Sequence, residues 1–203
     1  MAKHKEIEVK WAAEGVDRSV FNRQLRALLK KLDCSFRFLR VKGPDTYFTR
    51  WSDVVRHRIS KNTHELTIKL RIYKKSIRAR KEVNVRLAQD QPVEDVVEFL
   101  QCLGFKKKIC LVKDCDIYFL VQPNGVHASI VWYVVEDEAG NLRRFIEVEI
   151  EGQSHHRSLA VLDFWCKRVE KTYELTKRDR SDDSLYELYT GKRYLNVKKR
   201  QKR

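Results

Sequence analysis

The sequence predicts an α+β protein, mainly β, built as a closed eight-stranded antiparallel barrel with helices packed outside. Two observations lead there. About eight segments rich in β-branched and aromatic residues alternate apolar with charged side chains at period two, whereas only three segments repeat at the helical period. The charged positions recur in nearly every strand and include both signs, in a chain of 203 residues that is 42% hydrophobic yet 35% charged, more charge than an ordinary exterior requires. Eight antiparallel strands can close on themselves, which removes the sheet edges and leaves an interior wide enough for side chains or one small ligand.

The first strand, 4–11, contains Glu6-Ile7-Glu8-Val9-Lys10, so its carboxylates share one face and Ile7 and Val9 the other. Helical spacing then runs from Ser19 to Leu32. Strands follow at 35–48, 54–60, 65–74 and 79–87, bearing Arg56-x-Arg58, Lys69-x-Arg71 and Arg80-x-Glu82-x-Asn84-x-Arg86, with a turn signal at Gly43-Pro44-Asp45. The second helix runs from Pro92, suited to a first helical turn, to Leu103, with Gly104 as its stop. Strands at 106–120, 127–137 and 142–151 add Lys113 and a second acidic alternation, Glu147-Val148-Glu149-Ile150-Glu151. Pro123-Asn124-Gly125 and Gly140-Asn141 separate these strands at hairpin-like spacing, and a third helix spans Ser158–Tyr173. No Ser/Gly/Pro-rich linker and no internal repeat beyond the two Glu-x-Glu strands divides the chain. Residues 1–195 therefore read as one domain, and 196–203, with the run Lys198-Lys199-Arg200-Gln201-Lys202-Arg203, as a disordered basic tail.

The 43 Lys+Arg against 28 Asp+Glu give a net charge of +15, which points to an anionic partner. Cys34, Cys102, Cys110, Cys115 and Cys166 are odd in number and form no C-x-x-C pair, which argues against a disulfide framework or a zinc knuckle and for a reducing cytoplasm. No apolar run is long enough for a membrane span, no secretory pattern opens the chain, and no Gly-rich phosphate loop is present. His155-His156 read as a solvated pair, Cys110 and Cys115 as core packing on opposite faces of one strand, and Trp132-Tyr133 as ordinary strand aromatics rather than a base-stacking platform. Tyr47 is placed either to orient a base or water near Lys69 or to pack as a core aromatic.

If the charged faces converge inside a barrel, they must be paired, hydrated or matched to a ligand, because isolated buried charge is very costly. A polyanion with bound cations satisfies both signs. Glu6, Glu8, Glu147 and Glu149 supply hard oxygen ligands for Mg²⁺ or Mn²⁺. Arg56, Arg58, Lys69, Arg71, Arg80 and Lys113 can hold phosphoryl oxygens, and a buried lysine among cations can lose its proton near neutral pH and activate water.

These residues resemble the CYTH superfamily, the triphosphate tunnel metalloenzymes, which includes class IV adenylate cyclases and thiamine and inorganic triphosphatases. EIEVK at residues 6–10 is similar to that family's ExExK signature, and the later segments come in the family's order: Asp45-Thr46-Tyr47-Phe48, Arg56-His57-Arg58, Glu65 through Lys69, Arg80-Lys81-Glu82, Leu103-Gly104-Phe105, Phe145 through Glu149, and Ser184-Leu185-Tyr186-Glu187-Leu188. The resemblance implies an eight-stranded tunnel that binds triphosphate along its lumen with one or two divalent ions. It implies Glu6, Glu8, Glu147 and Glu149 as metal ligands, and Lys10, Arg56, Arg58, Lys69, Arg71, Arg80 and Lys113 as triphosphate contacts. Lys69 and Glu82 are its catalytic candidates. The chain departs from the pattern at Thr49-Arg50, at Asn84 where a second carboxylate is common, at Lys113-Asp114-Cys115 where an arginine is expected, and at Ser129-Ile130-Val131-Trp132, which lacks an aspartate. The missing carboxylate leaves the second metal site and the choice of reaction open.

The function expected is metal-dependent hydrolysis of a phosphoanhydride in inorganic triphosphate, a nucleoside triphosphate or thiamine triphosphate. Cyclisation of ATP to cyclic AMP and non-catalytic binding of triphosphates, nucleotides or nucleic-acid ends are the alternatives. The basic tail is suited to weak nucleic-acid contact.

Overall fold

Period-two alternation produces strands where it is regular and long. A computed structural model describes residues 5–51, 53–72, 79–121, 127–152, 155–181 and 183–191; the side chains at 5, 6, 69–72, 79–82, 152, 155 and 156 are not described. Its strands are β1 (Lys5–Ala12), β2 (Phe36–Arg50), β3 (Asp53–Ser60), β4 (Thr63–Ile72), β5 (Ala79–Arg86), β6 (Lys106–Leu120), β7 (His127–Glu136), β8 (Leu142–Gly152) and the two-residue β9 (Arg180–Ser181). The helices are α1 (Arg18–Lys31), α2 (Val93–Cys102), α3 (His155–Tyr173) and α4 (Leu185–Thr190). The segments at 73–78, with the end of the fourth predicted strand, at 122–126, with the Pro123-Asn124-Gly125 turn, and the expected tail lie outside the described residues.

All pairings are antiparallel, in the order β5-β4-β3-β2-β6-β7-β8-β1-β9, and β5 also pairs with β1 through Glu6 with Arg80 and Ile7 with Ala79. The outer faces of β1, β7 and β8 carry Ile7, Trp11, Ile130, Trp132, Ile146 and Val148, covered by Phe21, Leu25 and Leu29 of α1 and by Leu162, Trp165 and Val169 of α3. The i, i+4, i+8 spacing of the α1 residues puts them on one helical stripe, and each large side chain buried there contributes roughly 1.5–3 kcal/mol. Trp132 belongs wholly to this layer, its indole N–H donating to the Val16 carbonyl at 2.8 Å. A smaller layer joins α2, through Val96 and Leu100, to Phe48, Val55 and Phe105. Among the described residues no helix is long and apolar enough to cross a membrane, and all five cysteines are free thiols.

Three local expectations change. Gly43-Pro44-Asp45 is not a turn: β2 runs straight through it, and Pro44 stands just beyond the last β2–β3 pair, Asp45 with Arg58, where a ladder donor is dispensable. His155-His156 open α3, which begins before the expected start at Ser158. Beyond Tyr173, where the periodicity assigns no element, the chain adds β9 and α4. β9 pairs Ser181 with Lys10 and Arg180 with Trp11, and α4 begins in a capping box in which the Glu187 N–H donates to Ser184 Oγ at 3.2 Å and the Ser184 N–H to Glu187 Oε2 at 2.8 Å. Leu185 and Tyr186 of α4 enter a third apolar cluster with Tyr47, Val54, Leu111, Tyr133, Val135 and Phe145. Those strand residues share the phase of the charged face, so α4 closes one end of the space the sheet curls around.

His57 and His64 form a buried pair on the other face, Nε2 to Nε2 at 2.8 Å, with His64 Nδ1 3.0 Å from the Ala88 carbonyl. Two neutral rings satisfy this chain: His64 donates from Nδ1 and accepts at Nε2 from His57. Burial first, then the neighbouring His64, pushes the His57 value down to about 4. Between its ordinary 6.5 and about 4 the unfolded chain therefore binds more protons, so this contribution is complete above pH 6.5 and is lost as pH falls towards 4. Urea midpoints of the wild type should fall between pH 7 and pH 4.5 by an amount worth on the order of 1–2 kcal/mol more than those of His57→Gln. Parallel pH profiles would contradict the assignment.

Candidate functional site

Strand register brings the charged face into one cavity of about 450 Å³. On one side β1 and β8 pair Glu8 with Glu149 and Lys10 with Glu147. On the other, Asp45, Arg58, Glu65 and Arg86 stand in line across β2, β3, β4 and β5, with Tyr47, Arg56, Thr67 and Asn84 as the next row. Lys113 and Cys115 of β6 lie between the two sides. Asp45, Arg58, Glu65, Arg86, Lys113, Glu147 and Glu149 all line the cavity, so among the described residues its wall is mixed in charge, not uniformly basic.

The Glu8 and Glu147 carboxyl groups hydrogen-bond each other, which requires one of them to carry the proton. Glu147 lines the cavity but is otherwise enclosed by protein; burial first, then repulsion from Glu8, raises its carboxyl above the usual range, against the pull of Lys113 and Lys10. Beneath it the Tyr133 hydroxyl donates to Glu147, and burial with the two glutamates raises that phenol well above its ordinary value. Lys113 Nζ sits 3.7 Å above the Tyr133 ring centre. Lys10 is 3% exposed and its ammonium donates to the Asp183 carbonyl, so the segment between β9 and α4 fixes it.

Across the cavity Arg58 grips Asp45 with two hydrogen bonds, Nε to Oδ1 and Nη2 to Oδ2, both 2.6 Å. Burial of Asp45 favours its neutral form, but the charge and hydrogen bonds of Arg58, with Arg56 and Lys113 behind, outweigh it and hold the carboxyl far below the usual range. Arg56 Nη2 donates to Glu65 Oε1 at 3.2 Å and Thr67 Oγ1 at 3.1 Å, while its Nε is buried with no acceptor among the described residues.

Of the residues selected from sequence, Arg58, Lys113, Glu147 and Glu149 line the cavity, Glu8 and Lys10 lie directly against Glu147, and Arg56 joins through Glu65. For Glu6, Lys69, Arg71, Arg80 and Glu82 only the backbone register is described: Glu6 opposite Arg80, Lys69 opposite Glu82, Arg71 opposite Arg80. Asp45, Glu65 and Tyr133 were missed as site residues. Asp45 was hidden in the apparent turn, and Glu65 shares the period-two phase of Lys69, which could have revealed it. Cys115 packs in the core cluster with Tyr133 and Phe145, as expected, and also borders the cavity, its thiol raised by burial; Cys110 on the opposite face accepts from the Thr46 hydroxyl at 3.5 Å. Tyr47 packs against Tyr186, ring centres 5.9 Å apart.

Among the described residues no group of three or more His, Cys, Asp or Glu side chains is placed to hold a metal ion. The Glu8–Glu147 pair nevertheless fits one side of a site for a hard divalent cation: two enclosed carboxylates whose mutual repulsion a cation would relieve, with Glu149 next on β8.

Because the folded protein binds the Glu147 proton more tightly than the unfolded chain, stability is lost as pH rises through its raised value. In chelator, Glu8→Gln should melt about 2–5 °C above wild type at pH 8, with a smaller difference at pH 5; a lower melting point at pH 8 would refute the repulsive pair. Asp45→Ala strands the Arg58 guanidinium and should cost about 3 kcal/mol in urea denaturation. A loss below ~1 kcal/mol would show that the pair adds little beyond a surface salt bridge.

No protein-family model matches the chain, and no curated protein does. Among solved structures, the PH1819 protein from Pyrococcus horikoshii OT3 aligns at a TM-score of 0.65 and 22% identity over 93% of this chain and 99% of its own. A conserved hypothetical protein from Pyrococcus furiosus aligns at 0.63 and 22% over 90% and 99%. The Pct1 RNA triphosphatase of S. pombe aligns at 0.48 and 13% over 87% of each chain, too low a likeness to bear on function. The two archaeal proteins share this chain's fold across nearly its whole length.

Proposed function

We propose that the chain is a divalent-metal-dependent phosphohydrolase that cleaves a phosphoanhydride of a triphosphate held in the cavity. The pairing of β5 with β1 supports reading the eight long strands as a tunnel closed around it. One observation underlies the proposal: a single cavity has the Glu147 and Glu149 carboxylates on one side, with Glu8 against Glu147, and the half-buried Arg58 guanidinium on the other, with Arg56 behind it through Glu65. A polyanion accompanied by a cation is the ligand that matches both. Glu8, Glu147, Glu149 and Glu6 would hold Mg²⁺ or Mn²⁺, which when bound neutralises charge on phosphoryl oxygens. Arg56, Arg58, Lys113, Lys69, Arg71 and Arg80 would orient the phosphates, with Lys10 as a buried positive charge behind them. Lys69, opposite Glu82 in the ladder, would take the proton of the attacking water.

One observation favours a second reading, tight binding without turnover: Arg56 and Arg58 already have carboxylate partners in Glu65 and Asp45, which limits how far they can move onto a reacting phosphate.

Purified protein incubated with inorganic triphosphate, ATP, thiamine triphosphate or 5′-triphosphorylated RNA should release phosphate or pyrophosphate from at least one of them with magnesium or manganese, and none with chelator. Glu6→Gln and Glu8→Gln should each lower the rate at least about a hundred-fold while remaining folded. Undiminished metal-dependent activity in both variants would overturn the ligand assignment. Tight binding of these ligands without product would establish the second reading.

A further inference from the structure

The cavity changes character away from its carboxylates. β2 and β6 are fifteen residues each and pair along nearly their full length, whereas β3 covers β2 only from Asp45 onward. Their remaining halves turn Leu39, Val41, Ile117 and Phe119 towards the cavity, with Leu39 directly opposite Ile117. All four are only half-buried. The Arg37 guanidinium lies 4.6 Å from the Phe119 ring centre, so one ring face is occupied and backed by a cation.

The facing wall is mixed, with Ile59 and Leu87 among polar groups. The β3–β4 turn and the chain after β5 contribute Asn62, Thr63 and Gln89, and Gln89 Nε2 donates to the Ser60 carbonyl at 2.8 Å, tying the two segments together. The turn reaches in because residue 43 is glycine: a Cβ there would stand 1.8 Å from the Ile59 carbonyl oxygen. An apolar wall ending in an aromatic ring, opposed by amides and a hydroxyl, matches a bare triphosphate poorly, because the apolar side leaves phosphoryl oxygens without charge or donors. It fits a flat ring with polar atoms on its edge. Arg37 and Arg86 at this end oppose a cationic ring, and the volume of about 450 Å³ is in the range of pockets for molecules larger than three phosphoryl groups.

We infer that this half of the cavity binds the uncharged base of a nucleoside triphosphate, placed between Phe119 with its aliphatic neighbours and the Asn62–Gln89 side. The assignment rests on the triphosphate reading of the charged half. It makes the protein selective for nucleoside triphosphates over inorganic triphosphate and over triphosphates of cationic rings.

Dissociation constants from thermal-shift titration in magnesium decide the matter, with ATP, GTP, CTP, UTP, inorganic triphosphate and thiamine triphosphate as probes. At least one nucleoside triphosphate should bind about ten-fold more tightly than either of the last two, and Phe119→Ala should weaken it about ten-fold while changing inorganic triphosphate less than two-fold. Phe119→Leu, which keeps apolar volume and loses the ring, should show an intermediate loss and guards against misfolding of the alanine variant. Inorganic or thiamine triphosphate binding as tightly as the best nucleotide overturns the inference, as does a Phe119→Ala loss equal for nucleotide and inorganic triphosphate. If inorganic triphosphate binds alone, the triphosphate reading stands and the base site falls. If no probe binds, both fall.

Discussion

Charge of both signs faces the interior of this sheet, and the requirement that every such charge be matched governs the rest of the structure. Asp45 satisfies it completely, its two oxygens taken by the fork of Arg58, a geometry that a lysine could not reproduce. Arg56 satisfies it through Glu65 and Thr67. Glu8 and Glu147 do not: they are two like charges held together, moderated by Lys10, Lys113 and the Tyr133 hydroxyl. That residual imbalance sets the Glu8–Glu147 pair apart from the neutralised Asp45–Arg58 and Arg56–Glu65 pairs across the cavity.

The same requirement explains the end of the chain. An open end would admit water to Lys10, Tyr133 and Glu147 from below. β9 and α4 prevent this, α4 by inserting Leu185 and Tyr186 among inward-facing apolar residues and the intervening Asp183 by accepting from Lys10. A six-residue helix is too short to persist alone; it is held by its capping box and by this cluster. The base of the cavity is thus a tertiary construction made from segments 173 residues apart.

Much of this was legible beforehand. Every long strand and all three long helices follow from apolar periodicity, and the phase of the charged residues marked which face would meet which. Glu8, Arg58, Lys113, Glu147 and Glu149 could be chosen from phase alone, because a strand offers only two faces. Asp45 could not: Gly-Pro-Asp is local turn chemistry, and only pairing with β6 along the full length of β2 overrides it. α4 and β9 have too few residues to show a period, although Ser184 three places before Glu187 is a readable capping signal.

The amino-acid sequence by itself determined the elements, their inward faces and the kinds of chemical group presented there, since each of these depends on neighbours within a few positions of the chain. Which charge meets which was decided only by the tertiary structure. Pairing Glu8 with Glu147, Arg58 with Asp45 and Arg56 with Glu65 depends on strand order and register, which are settled by burial of the outer faces under α1, α2 and α3. The division of the cavity into a charged half and an apolar half likewise arises from how far β2 and β6 extend past β3, a three-dimensional relation that no local pattern encodes.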